Sequence, residues 1–565
     1  MQKRVYPVNG RWYTTQYILV SCHMPIWQPL SGHLTDTGEM SMLQTCSVIT
    51  TPESFGAAGD GVTDDTQAWQ LAINTGNSVC GTAGRVYKVT SQLVFPAGAE
   101  MQTINGNGCS FIWTDPTGSM WDEILADGSK RGYTSGKNYE NFTVTGPVHT
   151  TSKWENVASC HALNYANGYA NNLNISGFTN AFRVFGNTFT TNVVADDLRN
   201  SVWSERNNNN HISNVKCGWC AGDAIVIYSQ FVSCHNINVE YAGVIPSDSE
   251  EKTTAARGCL ISTGQDGHQD GCKYVNISDV QCRYTGAGGL AIAGEYVNVS
   301  GVINVGSIYL STYISGNLGV GVWISGKSIS IGDVSIGSIN AGVIIQSGSS
   351  EILVGDVYIS GGFVGYAPII ISADDVLQNT IDKIHISSII CDAYVDFGNA
   401  VFLRANGMNI GRVYMRSVGN TSVNRTIYLN GKNNIGSIEA YNPGGSLSTT
   451  TFIETYGAPV IKNVLVDGIN GTVIYVTAAS LPTFGQITLS NMKSTTNPPI
   501  VVDGDGSGFM SWGPTVVAGN YTAKPKLAGT LSLASWRSPQ SWVAADPAKT
   551  AVMKYPQEST FNLTP

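Results

Sequence analysis

The chain has 565 residues, of which 13% are charged and 42% hydrophobic, with 63 glycines and a formal net charge of -9. Charged residues usually make up about 25% of a soluble protein, so uncharged polar residues must cover much of this surface, as in a long β-structure with many turns. The hydrophobic content excludes global disorder, and the acidic balance without a long basic run argues against nucleic acid and anionic membranes as partners.

Residues 1–47 differ from the rest of the chain because they contain no repeat, and we expect an irregular N-terminal arm. The apolar run from Tyr17 to Val20 is too short for the core of a signal peptide. No stretch approaches the about 20 apolar residues of a spanning helix. The sequence therefore predicts a soluble protein made in the cytosol. Met40 and Met42 leave open a later natural start, with part of the arm as an upstream extension.

A short helix is predicted near residues 64–75, after a glycine-rich loop. Asp64 or Asp65 can act as its N-cap, which gives these carboxylates a structural role. Apolar residues recur on one face of the helix, namely Ala68, Trp69, Ala72 and Ile73.

From about residue 84 onward, short apolar strands alternate with Gly and Asn turns. Segments such as 174–177, 276–279 and 298–301 repeat one pattern, and each is followed by a second and a third apolar strand. A repeat of this length without helices indicates a solenoid, whose stacked coils share one dry core. We therefore predict an all-β fold, a right-handed parallel β-helix with three strands per coil, over residues 48–504.

The solenoid pattern weakens near residue 504, where glycines and prolines cluster. The tail at 505–565 carries Trp512, Trp536 and Trp542. Because an open solenoid end exposes unpaired strand edges, we expect this tail to cap the end and to assemble chains.

The twelve cysteines are too sparse for a disulfide scaffold. Cys217 and Cys220 form a lone C-x-x-C, with only Cys234 and His235 close by in sequence, which is not the spacing of a zinc site. We expect small buried thiols in the core, no metal and no cofactor.

Residues 55–68 read FGAAGDGVTDDTQA. This segment resembles the opening motif of pectate-lyase-like parallel β-helix proteins, which include bacteriophage tailspikes and capsule depolymerases. The resemblance covers about twenty residues, and the repeat extends it from about 53 to 500. It implies a homotrimer in the virion that binds and cleaves a bacterial surface polysaccharide, with the N-terminal arm attached to the phage tail or another tail protein. The motif passes on no catalytic residue, since family members include both hydrolases and lyases.

Candidate catalytic residues concentrate at about 190–300, in the more charged coils. The segments 215–217, 239–241 and 280–282 align as one strand column if their valines point inward. Lys216, Glu240 and Gln281 would then point outward in a row, near Asp223, Trp219, Tyr241 and Arg283. Outward Glu240 could equally form a surface ion pair, Asp223 could make a turn, and Trp219 could fill the core.

A second cluster is predicted on one turn. It combines Glu205 with Asp266, His268 and Asp270, near Glu295. Turn formation also explains the aspartates between glycines. Trp203 is a candidate for stacking on sugar or for the core, and Arg257 belongs to a polar insertion at 242–258 that could wall a groove.

Carboxylate pairs favour glycoside hydrolysis, because a general acid and a second carboxylate together break a glycosidic bond. Three alternatives remain open. A polysaccharide lyase would use cations such as Lys216, Arg257 or Arg283 beside a uronate. A non-catalytic adhesin would only bind glycans, and a cellular pectinase is disfavoured by the absence of a signal peptide.

Overall fold

The structure is a computed structural model. It describes residues 3–8, 11–16, 49–95, 102–122, 136–147, 160–185, 187–205, 209–228, 230–243, 257–261, 272–286, 288–308, 320–337, 341–346, 349–360, 369–372, 382–392, 401–404, 406–416, 426–441, 447–477, 480–492, 497, 500–502, 511–512, 515–519 and 526–527. The chain divides into two compact units, Met1–Val48 and Ile49–Pro565.

The first unit contains an antiparallel pair of strands, β1 (Lys3–Val8) and β2 (Arg11–Gln16). The register runs from Lys3 opposite Gln16 to Val8 opposite Arg11. The expectation of an irregular arm is therefore wrong for these residues. In the sequence, Asn9 and Gly10 stand between the two strands, and this pair of residues is common in tight hairpin connections.

The second unit opens with a 3-10 helix, Pro52–Phe55, and the α-helix α1, Thr66–Asn74. The helix lies within the predicted range and buries the predicted face of Ala68, Trp69, Ala72 and Ile73.

The two aspartates before α1 have different contacts. The Asp64 carboxylate accepts the backbone N–H of Thr66 at 3.0 Å. The Asp65 carboxylate is buried and accepts the N–H groups of Ala58 at 2.7 Å and Gly59 at 3.1 Å. Asp65 is the N-cap residue of α1, but its carboxylate fixes the glycine loop and makes no capping bond to the helix. The bond to the first helical residue comes from Asp64.

The remaining elements of the second unit are strands. They are β3 (Ile49–Thr50), β4 (Asp60–Asp64), β5 (Ser78–Cys80), β6 (Val86–Val89), β7 (Leu93–Val94), β8 (Thr103–Trp113), β9 (Trp121–Asp122), β10 (Asn138–Thr145), β11 (His161–Ala166), β12 (Tyr169–Phe185), β13 (Thr188–Glu205), β14 (Asn210–Cys220), β15 (Ile225–Ile227), β16 (Gln230–Ala242), β17 (Arg257–Ile261), β18 (Lys273–Thr285), β19 (Gly288–Ile308), β20 (Val320–Ile331), β21 (Val334–Ile336), β22 (Ala341–Gln346), β23 (Ser350–Ser360), β24 (Ile369–Ser372), β25 (Asp382–Asp392), β26 (Val401–Arg404), β27 (Met408–Arg416), β28 (Ile427–Asn430), β29 (Asn433–Tyr441), β30 (Leu447–Tyr456), β31 (Val460–Asp467), β32 (Ile469–Val476), β33 (Thr483–Met492), β34 (Ile500–Val502), β35 (Ser511–Trp512), β36 (Thr515–Gly519) and β37 (Lys526–Leu527).

Every pairing between strands of this unit is parallel, and each strand pairs with the equivalent strand of the next repeat. The arrangement is an all-β solenoid, and we call each repeat a coil. One coil has three faces: face one at 230–235, face two at 237–242 and face three at 257–261. The same three faces recur along the described coils, and they fix where each outward side chain lies.

A column of asparagines marks the corner between faces one and two. Their backbones have positive φ, the left-handed conformation that asparagine tolerates better than most residues. Neighbouring coils are joined by side-chain hydrogen bonds. Asn214 Nδ2 donates to Asn192 Oδ1 at 3.0 Å, and Asn236 Nδ2 donates to Asn214 Oδ1 at 2.9 Å. The column, which we call the asparagine ladder, consists of Asn107, Asn141, Asn172, Asn192, Asn214 and Asn236.

The interior of the solenoid is a continuous column of buried apolar side chains. The first coils are aromatic, and the rings of Trp69 and Phe111 meet edge to face at 4.8 Å. Later coils hold mainly isoleucine and valine. Cys217 and Cys220 are buried in this column, as predicted, and the ten cysteines in the described ranges are free thiols.

Parallel pairing continues past the expected boundary at residue 504. β33 pairs with β35 and β36, and β34 pairs with β37. The coil pattern thus persists to Leu527, while most of the tail at 505–565 lies outside the described residues. Its role in assembly stays a prediction.

The asparagine ladder should contribute measurably to stability. We expect Asn214→Ala to lower the free energy of unfolding by about 1–2 kcal/mol, because alanine is strained in the left-handed conformation and cannot bridge coils. Asn214→Gly should cost less, since glycine relieves the backbone strain. Urea unfolding followed by circular dichroism checks this. Asn298→Ala, an exposed asparagine without positive φ, is the control, and equal losses at both positions would contradict the prediction.

The buried thiols should be inert in the folded protein. Burial raises the pKa of Cys282 to about 12, with Cys217 adding to the shift, and burial alone raises the pKa of Cys391 to about 12. At pH 8 both thiols stay protonated, since the thiolate appears only as the pH nears 12. We expect iodoacetamide to leave them unlabelled until urea is added, whereas half-buried Cys80 reacts first, as read by mass spectrometry.

Candidate active site

The row of outward side chains on face two differs from the prediction by two residues. Lys216 pairs with Asn238, which pairs with Gln281, so these three exposed residues form the row. Val215 pairs with Ile237 rather than with Val239. Ile237 and Val239 are both buried, and an inward-outward pattern of period two cannot distinguish registers that differ by two residues.

Glu240 therefore lies in the next column along face two, where it contacts Arg283. The Arg283 guanidinium donates to the Glu240 carboxylate at 3.0 Å, and it also lies 5.1 Å from the ring centre of Tyr284. The Tyr284 phenol and, after it, the Glu240 carboxylate raise the pKa of Arg283. The expected ion pair of Glu240 is present, but its partner is Arg283 and not Lys216.

The column of Glu240 contains a second carboxylate that sequence reasoning missed. Ala195, Cys217 and Val239 are paired in register, which places Asp196, Gly218 and Glu240 one after another on three coils. A Cβ added to Gly218 would lie 2.6 Å from Asp196 Oδ1, so the two residues are direct neighbours. The Asp196 carboxylate thus fills the space that a side chain at Gly218 would take, on the coil next to that of Glu240.

The backbones of Asp196 and Glu240 are two coil spacings apart, about 9.6 Å. The Asp196 carboxylate lies over Gly218, on the coil between them, and Asp196 is exposed while Glu240 is half-buried. Carboxyl groups about 6.5–9.5 Å apart are typical of inverting glycosidases, and groups about 5–5.5 Å apart are typical of retaining ones.

Aromatic side chains lie beside the carboxylate column. Trp219, Tyr241 and Tyr284 follow one another in register, and the rings of Tyr241 and Tyr284 stack at 4.9 Å. Trp219 is only 9% exposed, which leaves little of its ring for a sugar and favours the core alternative. Tyr241 is half-buried and keeps accessible surface.

A recess of about 410 Å³ adjoins the column on the side of the earlier coils. Four members of the asparagine ladder line it, together with Thr143, Asn174 and Val194 of face two. Val194 pairs with Lys216 and precedes Asp196 by two residues, so the recess runs toward the carboxylates. Its carboxamides can donate to and accept from hydroxyl groups.

Asp223 lies outside the column of Asp196 and Glu240. It lies after Gly222 in the turn before β15, as the turn alternative expects, and it is half-buried. Its charge contributes to the raised pKa of Cys259, after burial and Cys282. The negative charge of Asp223 thus disfavours ionisation of the buried Cys259 thiol.

The second predicted cluster is described only in part. Asp266, His268 and Asp270 lie outside the described residues. The backbones of Trp203 and Glu205 belong to face three, where they pair with Ile225 and Ile227. Ile227 in turn pairs with Ile261 at the end of β17. Arg257 begins β17, and its backbone pairs with Gly288.

The described residues do not meet the requirements of a metal site or of a membrane-spanning helix. They contain no group of three or more His, Cys, Asp or Glu side chains that could hold a metal ion. No helix among them has the length and apolar character needed to cross a membrane.

No family model and no curated protein matches the chain. Three similar solved structures each share 12–14% identity with it. Tailspike protein 3 of bacteriophage CBA120 matches 77% of this chain, with 12% identity and a TM-score of 0.32, and the chain spans 57% of that protein's length. The surface adhesin PfbA of Streptococcus pneumoniae matches 86% of this chain and 94% of its own, with 12% identity and a TM-score of 0.25. The catalytic unit of a GH87 α-1,3-glucanase from Streptomyces thermodiastaticus matches 88% of this chain and 71% of its own, with 14% identity and a TM-score of 0.18. Similarities this low do not bear on the reaction.

Proposed function

We propose that the chain is a polysaccharide depolymerase of the phage tailspike type, which cleaves glycosidic bonds by hydrolysis. The observation that carries the proposal is the pair of outward carboxylates, Asp196 and Glu240, in one column of face two with only Gly218 between them. A shallow, open face suits a long polymer, since the chain of sugars can lie across several coils.

Of the two glycosidase mechanisms we assign the inverting one, because the backbones of Asp196 and Glu240 are two coil spacings apart. Glu240, held by the Arg283 cation, takes a proton from a water molecule beside it, and the oxygen of that water attacks the anomeric carbon. Asp196 donates a proton to the glycosidic oxygen as its bond to that carbon breaks. The products are a new reducing end and a new free hydroxyl group.

The neighbouring surface would bind the polymer. Lys216, Asn238 and Gln281 form an exposed polar row beside the carboxylates, and the recess along the asparagine ladder extends it. The half-buried rings of Tyr241 and Tyr284 border the other side. Hydrogen bonds from these amides to sugar hydroxyls would fix the register of the polymer.

The motif at 55–68, the parallel coils and the low content of charge support the finer features of the proposal. The solenoid would be a right-handed parallel β-helix, since parallel crossovers are almost always right-handed. The protein would be a homotrimer in the virion, joined through residues 1–47 to the tail or to another tail protein. Its receptor would be a bacterial capsular or other surface polysaccharide.

Removing either carboxylate should abolish cleavage. Glu240→Gln and Asp196→Asn keep the shape of the side chains but cannot transfer a proton, so each should lower the rate by roughly 10²–10⁴. The melting temperature should hardly change, because outward positions contribute little to the core. Size-exclusion chromatography of purified capsular polysaccharides after incubation measures the rate, and reducing-end analysis confirms hydrolysis.

Glu439→Gln is the matched control, because Glu439 forms a similar ion pair with Arg412 on a later coil.

New ends that absorb in the ultraviolet would identify a lyase, and binding without any loss of polymer size would identify an adhesin. Full activity of both the Asp196 and Glu240 variants would refute the proposed site. Loss of activity in Glu205→Gln, Asp266→Asn or Asp270→Asn would then move it to the edge of face three.

A trimer that resists mild detergent is the expected state in solution. Large apolar side chains are exposed on the sides of the later coils of a single chain, among them Leu353, Tyr358 and Leu465. Lateral packing of three solenoids would cover such surface. Light scattering should give three times the chain mass of 60.1 kDa, and a monomeric mass at micromolar concentration would contradict the trimer.

A further inference from the structure

Three large aromatic side chains form an exposed stack at the corner where face three of one coil leads into face one of the next. Phe231, Tyr274 and Tyr296 are 51%, 45% and 46% exposed. Their ring centres are 5.1 Å and 5.0 Å apart, with planes within 8° and 5° of parallel. We call these residues the aromatic stack, and it lies apart from the carboxylates of face two.

The backbone of the aromatic stack is strained. Phe231, Tyr274 and Tyr296 have φ angles of 59°, 58° and 56°, in the left-handed region that bulky residues rarely adopt. Other coils also have positive φ at this corner, at Asn209, Ser328, Glu351, Lys383 and Gly407. The corner itself therefore imposes the left-handed conformation, and the three coils differ from the others in the exposed aromatic rings that they carry. Burial does not explain the aromatic choice, because about half of each side chain is exposed.

The last ring of the aromatic stack has one uncovered face. Tyr274 lies between Phe231 and Tyr296, so neighbouring rings cover both of its faces. Beyond Tyr296 the next coil carries only Ser328 at this corner, and the coil after that carries Glu351. Tyr296 and Glu351 are two coil spacings apart, about 9.6 Å between backbones. We call the space over Ser328, between the side chains of Tyr296 and Glu351, the slot.

The far wall of the slot is a charged hydrogen-bonding group. Ser328 Oγ donates to Glu351 Oε2 at 2.5 Å, and Lys383 Nζ lies 3.7 Å from Glu351 Oε1. The Ser328 hydrogen bond, followed by the charges of Lys327 and Lys383, lowers the pKa of Glu351. The carboxylate is therefore ionised near neutral pH and accepts further hydrogen bonds.

We infer that this slot binds a neutral hexopyranose unit of a glycan, as a second carbohydrate site separate from the carboxylates of face two. The apolar C–H face of the sugar would lie on the free face of Tyr296, and its hydroxyl groups would donate to Glu351. An apolar wall opposite a polar one matches a sugar ring, which has both kinds of surface. Because Lys383 already pairs with the Glu351 carboxylate, a neutral sugar ring needs no further counter-charge in this place. Gly301, at the next corner, is five residues further along face one than Tyr296, a distance of about 16 Å.

Saturation-transfer NMR with neutral hexasaccharides of glucose, galactose and mannose tests the site. Wild-type protein should transfer saturation to the ring C–H protons of at least one of them. Tyr296→Asn should weaken that binding about tenfold, as expected when an aromatic stacking contact is lost. Asparagine occupies the same left-handed conformation at Asn209, so this variant should fold and melt no lower than wild type. Glu351→Gln keeps the stack and should weaken binding less.

Two controls separate this site from other effects. Tyr441→Asn removes a tyrosine of similar exposure, 45%, and should leave the affinity unchanged. Glu240→Gln should also bind the hexasaccharides like wild type, even if it loses cleavage. The inference is overturned if wild type contacts none of the sugars, or if Tyr296→Asn binds like wild type or like Tyr441→Asn. A change of molecular mass in Tyr296→Asn with unchanged sugar binding would instead assign the stack to contacts between chains.

Discussion

The left-handed corner between faces one and two is the constraint on which the rest of the solenoid depends. A parallel strand is stable only when its neighbour lies in register, and no coil can bury its apolar side alone. Asn214 and Asn236 turn the backbone and also reach the preceding coil through their side chains. The turn and the register are therefore set by the same residue. Every outward column on face two, including that of Asp196 and Glu240, inherits its alignment from this corner.

The core of the first coils is mainly aromatic, whereas the core of the later coils is mainly aliphatic. The first coils are capped by α1, and large rings such as Trp69, Phe111 and Trp121 fill the space beneath it. In the described parts of the later coils there is no helix, and β-branched residues fill the core. The glycine loop before α1 is held at the start of the helix by buried Asp65.

The sequence predicted the helix face and the solenoid because both depend on the period of apolar residues. It missed the register within face two because Ile237 and Val239 are both apolar and both buried. A shift by two residues leaves every inward side chain inward. Asp196 was missed for the same reason. Its carboxylate becomes meaningful only when Gly218 is recognised as its neighbour on the next coil, and the equal spacing of Asn192, Asn214 and Asn236 is the signal that could have fixed that alignment.

Coil stacking makes the distance between functional groups on one column a discrete quantity. Successive members of the asparagine ladder here are 22 residues apart, so Asp196, Gly218 and Glu240 each occupy the same place in consecutive coils. Loss of one such coil would place Asp196 and Glu240 on adjacent strands, whose backbones are about 4.8 Å apart. That spacing is close to the about 5–5.5 Å of retaining glycosidases. In such a scaffold, the stereochemistry of a reaction can change through the deletion of one repeat, with no new catalytic side chain.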